Sequence, residues 1–271
     1  MALSVNDCAK QLPRARNIAA CLKAVGTEKT TDFTYLEIGT CFKEDEGMST
    51  YVAAQFLAEQ DLSGHVYSLE LDLEHISASR EIVRRHNEHL MDRVTWVQGN
   101  SAQTVPETLS QIESVDVAFV DGGGHPLFNL FEFQLLWDKL SPDGLILIDD
   151  CVYLPPSPGY MGRRDYGKAQ LILPFLMLAE YINFQPAAIG ADIGQPANSP
   201  ETLERVLAAA PMTEFTRGLF AHAEFRDIAA TFEDMDFSFL AGNQLVVGKQ
   251  EPMRQLRDGN DKSTISLSYT P

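Results

Sequence analysis

The apolar positions of the chain change period near residue 33. Before it, Leu12, Ile18, Ala19, Leu22 and Val25 recur at helical spacing, and residues 5–24 are predicted as an N-terminal helix packed on the rest. After it, short β-rich runs alternate with longer helical ones. They read Phe33–Ile38, a helix over 49–60, His65–Leu71, a helix over 73–90, then Val94–Val97, Val115–Val120, a helix over 126–140, and Leu145–Ile148. That alternation predicts βαβ units wound by right-handed crossovers into a mostly parallel sheet with helices on both faces. Val115–Val120 and Leu145–Ile148 lack a regular polar alternation and are expected to be buried on both faces. A helix over 169–181, a strand over 186–193, a helical insertion over 200–210 and a late strand over 237–248 complete an expected seven-stranded sheet.

Turn chemistry agrees with these boundaries. Leu62-Ser63-Gly64 and Ser141-Pro142-Asp143-Gly144 each sit between a helix and a strand and end on a glycine. Pro155-Pro156-Ser157-Pro158-Gly159-Tyr160 cannot be a central strand, so residues 151–168 are expected to form a lid. The expected organisation is a helical segment over 1–30, a main domain over 31–250 that includes the lid and an insertion over 194–236, and a flexible tail over 251–271.

Charge narrows the partners. With 38 acidic and 21 basic side chains among 271 residues the formal charge is −17. Such a surface repels polyanions, which disfavours nucleic acid and an anionic membrane as partners. Leu171–Ala179, the longest greasy run, is broken by Pro174 and is far short of the roughly 20 residues that cross a bilayer. Residues 1–16 carry no apolar signal core, and the four cysteines form no Cys-x-x-Cys pair, so a reducing cytoplasm is expected. The apolar stretch from Leu171 to Ile182 suits either a core or the contact of a homodimer.

In an open parallel sheet, ligands bind beyond the carboxyl ends of the strands, where strand order reverses. The residues that follow the predicted strands are polar or glycine: Glu37-Ile38-Gly39-Thr40, Glu70 with Asp72, Gly99-Asn100-Ser101, Asp121-Gly122-Gly123-Gly124-His125, and Asp149-Asp150. If the strands ending at Asp121 and Asp149 are neighbours, about 4.8 Å apart, three carboxylates share one small space. Either some of them hold protons or a divalent cation such as magnesium neutralises them.

These residues resemble the class I S-adenosylmethionine-dependent methyltransferases, and within them the metal-dependent, catechol O-methyltransferase-like group that acts on small molecules. The resemblance covers Tyr35 to Val152 and implies a Rossmann-like α/β fold. It implies that Glu37-Ile38-Gly39 opens the cofactor loop, that Glu70 binds the ribose hydroxyls, and that Gly47 and Ser49 hold the carboxylate at a helix start. Asn100 and Ser101 correspond to the segment that reaches the adenine, and Asp121 borders the cofactor. Asp121, Asp149 and Asp150 match the magnesium ligands of the group, with Asp150 standing where the group has Asn. Two departures are visible. Thr40 to Glu46 intervene before Gly47, about four residues more than the metal-dependent pattern. The group's Lys three residues after its first metal Asp is Gly124 here, which leaves His125 as the expected base beside Asp121. Arg163 or Arg164 in the lid could hold a carboxylate of the acceptor.

The expected function is therefore methyl transfer from S-adenosylmethionine to an oxygen of a small polar molecule, with a divalent ion, in a setting such as secondary metabolism. Two alternatives stay open: a metal-free methyltransferase with His125 as base, and an inactive Rossmann-like protein that binds a ligand or partner.

Overall fold

The computed structural model describes residues 2–27, 29, 32–123, 126–150, 168, 172, 235–240, 244–249 and 265–267. Pro13 divides the expected N-terminal helix in two. Helix α1, Val5–Gln11, starts in a capping box between Ser4 and Asp7. Leu12 then takes an extended conformation, as a residue before proline prefers, and α2, Pro13–Gly26, begins with the proline in its first turn.

The strands and helices that follow alternate as the pattern predicts: β1 Phe33–Ile38, α3 Ser49–Glu59, β2 Gly64–Glu70, α4 Leu73–Asn87, β3 Val94–Gln98, α5 Ser101–Gln111, β4 Val115–Val120, α6 Pro126–Lys139 and β5 Leu140–Ile148. Then come β6 Met235–Leu240, β7 Gln244–Lys249 and β8 Ile265–Leu267. Helix α5 was not anticipated, because Pro106 lies inside it and its polar residues mask the apolar face of Val105 and Leu109. The single late strand expected over 237–248 is two strands, β6 and β7, paired antiparallel. The strand expected over 186–193, the helices over 169–181 and 200–210, the lid and the tail lie outside the described residues, apart from single positions and β8.

One mixed sheet results, in the order β3-β2-β1-β4-β5-β7-β6-β8, so eight described strands stand where seven were expected. The first five are parallel, and β7, β6 and β8 run antiparallel along one edge. Side chains at alternate positions, Phe33, Tyr35, Val117, Phe119, Leu145 and Leu147, share a core with α1, α2 and α3. Each fully buried large side chain in that core contributes about 1.5–3 kcal/mol relative to exposure. Asp116 interrupts β4 but is satisfied where it lies, ion-paired with Lys29 and accepting the Thr34 N–H at 2.8 Å. The Ser141–Gly144 turn is absorbed into β5 as an irregularity, because Leu140 pairs with Val115 and Leu145 already pairs with Val117. Among the described residues no helix is long and apolar enough to cross a membrane.

Strand order reverses between β1 and β4, whose chains leave the sheet on either side of that point. Gly39 closes the approach. It adopts φ of +89°, and a Cβ there would lie 2.5 Å from the Asp121 carbonyl oxygen. Gly39→Ala should therefore lower unfolding free energy by about 2–4 kcal/mol, from the strained φ and the forced backbone shift together. Chemical denaturation of the two proteins measures it, and an unchanged midpoint would show that the turn tolerates a side chain.

Candidate active site

The ladders of the central strands run out at one level. The N–H of Gly39 donates to Leu69 at 2.8 Å, that of Asp121 to Ile38 at 2.7 Å, that of Asp149 to Val120 at 3.0 Å and that of Gly99 to Glu70 at 2.9 Å. Register thus places Gly39, Glu70, Gly99, Asp121 and Asp149 along one edge, as the sequence predicts.

Asp121, Asp149 and Asp150 converge, each offering a carboxylate oxygen within 4.8 Å of the others. A regular strand would turn Asp149 and Asp150 to opposite faces. Asp150 avoids this by taking φ of +45°, a left-handed conformation that Asp tolerates better than most residues. The three oxygens suit a hard divalent cation, which binds carboxylates in compact sets.

Two cations of the chain already meet them. The Arg14 guanidinium pairs through one nitrogen with Asp121 at 2.9 Å and through the other with Asp149. Lys168 Nζ pairs with Asp121 and lies 3.7 Å from Asp150, and its backbone N–H donates to the Asp150 carbonyl at 2.9 Å. Asp149 is 1% exposed. Burial and then the charge of Asp121 push it up to about 6, while Arg14, Lys168 and the Gln244 amide pull the other way. Burial opposes the charge on Arg14, but Asp121 and Asp149 outweigh it and hold the guanidinium protonated above its ordinary value.

The remaining predicted residues divide by role. Glu70 ends β2 with its carboxylate folded over the neighbouring turn, accepting the Thr40 N–H at 3.1 Å and the Asp72 N–H at 2.9 Å. Both oxygens keep acceptor capacity. Asp72 is the N-cap of α4, and the exposed Leu71 beside Glu70 presents an apolar surface. Asn100 caps α5, accepting the Ala102 N–H at 2.9 Å, and Ser101 opens that helix. Ser49 opens α3 but is buried, and its hydroxyl helps to hold Glu37 in its ionised form. Gly47 turns its bare face to Arg14. His125 lies outside the described residues.

Glu37 itself is completely buried. Ser68 Oγ donates to it at 2.6 Å and Thr50 Oγ1 donates to the same oxygen. Thr40 Oγ1 joins this web, 2.8 Å from Ser68 Oγ and 2.9 Å from Ser79 Oγ, and the Trp96 indole N–H closes it on Ser79 at 3.1 Å. The web ties the loop after β1 to α3, β2 and α4. Sequence reasoning missed Arg14 and Glu132 altogether and placed Lys168 only as the last residue of the expected lid. Glu132 is 1% exposed on α6, held by Asn129 at 3.2 Å, and burial raises its carboxyl. For Glu132 a signal existed, an acid between Phe131 and Phe133 in an apolar helix. For Arg14 it was a base on the same helical stripe as Ile18 and Cys21.

Desolvation pushes Glu37 from 4.5 up to about 7, against the hydroxyls and with a small addition from Asp121. A raised carboxyl keeps its proton in the folded chain after the unfolded chain has lost it. Stability from this group is therefore full below about pH 4.5 and falls as pH rises to about 7. Across that window the stability of the wild type relative to Glu37→Gln should decline by on the order of 3 kcal/mol. Denaturation curves of both proteins from pH 5 to 8 would check it, and a constant difference would count against a titrating Glu37.

Comparison with known proteins meets this geometry. A family model described as a methyltransferase domain matches residues 36–151, the stretch from β1 to just past the Asp149-Asp150 pair. No curated protein matches the chain. Among solved structures, an O-methyltransferase from Bacillus cereus in complex with SAH shares 18% identity, with 90% of this chain and 87% of that chain covered and a TM-score of 0.42. The O-methyltransferase TomG from Streptomyces achromogenes, involved in tomaymycin synthesis and in complex with SAM, shares 13%, covering 86% and 79%, with a TM-score of 0.45. MycE methyltransferase of the mycinamycin pathway, in complex with Mg and SAH, shares 15%, covering 93% of this chain and 56% of that one, with a TM-score of 0.47. Likenesses this distant decide nothing about substrate or metal. The stretch over residues 36–151 that builds the sheet edge is similar to a methyltransferase domain.

Proposed function

We propose that the protein is an S-adenosylmethionine-dependent methyltransferase that moves the methyl group to an oxygen of a small polar acceptor at the edge between Glu70 and Asp150. The observation that carries the reading is the placement, at one level of one sheet, of the Gly39 turn and Glu70 beside three carboxylates within 4.8 Å. Glu70 offers its free acceptor capacity to a vicinal diol, Leu71 and Leu73 give an apolar surface for a flat ring, and the Gly39 turn, packed against the Asp121 backbone, stands on the side of the methionine portion. Asn100 and Ser101 border the ring, and Gly47 and Ser49 open α3 on the carboxylate side.

Asp121, Asp149 and Asp150 would hold a divalent ion, magnesium being the natural one for an all-oxygen set, and that ion would lower the pKa of an acceptor hydroxyl. The task of the chain is to align the acceptor lone pair with the methyl carbon and to take up the hydroxyl proton. His125, four residues past Asp121, is assigned the proton. A small molecule of secondary metabolism is the class of acceptor favoured, and a carboxylate on it would suit Arg163 or Arg164.

Glu70→Gln should weaken S-adenosylhomocysteine binding at least tenfold in calorimetry, since a hydrogen bond to a charged group contributes about 1.5–3 kcal/mol. Equal affinity would remove Glu70 from the cofactor site. Turnover of a panel of hydroxylated aromatic acceptors should fall on adding chelator, and Asp121→Ala should abolish the chelator-sensitive part while its circular dichroism stays that of the wild type. Chelator-insensitive turnover would leave the carboxylates without a metal role.

A further inference from the structure

Arg14 comes to the carboxylates from a helix 107 residues away in sequence, along a path built for it. Its aliphatic stem runs over the bare face of Gly47, where a Cβ would lie 2.8 Å from Arg14 Cβ and Cδ. Any side chain at residue 47 would fill the channel. One turn on, Asn17 is 4% exposed and donates to Gln244 at 2.6 Å, and Ile18, Cys21 and Leu22 are wholly buried, so α2 is fixed in place. Lys168 is itself 4% exposed, with its head on Asp121 and near Asp150.

Counting formal charges, three carboxylates and two cations leave the cluster at −1. A divalent ion added with Arg14 and Lys168 in place would bring it to +1 and set three cationic centres against one another in a largely buried space. Like charges at such distances repel strongly. We propose that Arg14 and Lys168 are resident counter-ions of the Asp121, Asp149 and Asp150 cluster, and that a divalent cation binds there only by displacing them. The N-terminal helix α2 thereby sets the affinity of the site for metal. The inference rests on the reading of these carboxylates as a cation site.

The test uses the full chain and Mn2+ alone, with the free ion followed by electron paramagnetic resonance at fixed pH. Arg14→Met and Lys168→Met should each bind Mn2+ at least tenfold more tightly than the wild type, and adding Asp150→Asn to either should remove the gain. Equal affinity in the wild type and both variants, or no binding in any of them, overturns the proposal. Should Arg14→Met fail to fold, Lys168→Met decides by the same tenfold criterion. S-adenosylhomocysteine binding to the wild type is measured separately, so a failed cofactor assignment is told apart from failed ion competition.

Discussion

The balance of charge at the end of the central strands is the constraint on which the site depends. Parallel pairing of β4 with β5 carries Asp121 and Asp149 to the same level, and the left-handed turn at Asp150 adds a third anion. No fold tolerates three bare carboxylates in a space this small without protons, metal or basic side chains. Arg14 and Lys168 meet the requirement from two distant parts of the chain. The first helices are therefore part of the chemistry as well as of the packing, since α2 carries both the core residues Ile18 and Leu22 and the guanidinium.

A second constraint concerns Glu37. Its position in β1 turns it toward α3, into a region closed to water. Hydroxyls of Thr50 and Ser68, with Thr40 and Ser79 behind them, replace the lost solvent. The Thr50 and Ser68 hydroxyls both donate to the same oxygen and leave Oε2 buried without a partner, which agrees with the raised carboxyl. The acid at the first motif thus acts on the shape of the loop after β1, and Glu70 stands nearer the open edge.

How much of this could be read beforehand depended on sequence separation. β1 and β4 match their predicted bounds because short, β-branched runs leave little choice, and Asp121, Asp149 and Asp150 followed from their positions after strands. Helix α5 was illegible because Pro106 contradicts local propensity and tertiary packing of Val105 and Leu109 overrides it. The Pro13 break was legible in principle and was missed. Arg14 could not be placed, since nothing near it in the chain records a partner beyond residue 120. Gly47 was recognised as necessary, but the group it makes room for is a side chain of the same protein.

The antiparallel border of the sheet has a consequence for synthesis. β5 is apolar from Leu145 to Ile148, and its outer side is paired by β7, whose residues follow about a hundred positions later. While a ribosome is still making the intervening stretch, β5 presents an open, greasy hydrogen-bonding rim of the kind that recruits other chains. Residues 244–249 supply the strand that completes the hydrogen bonding of that rim.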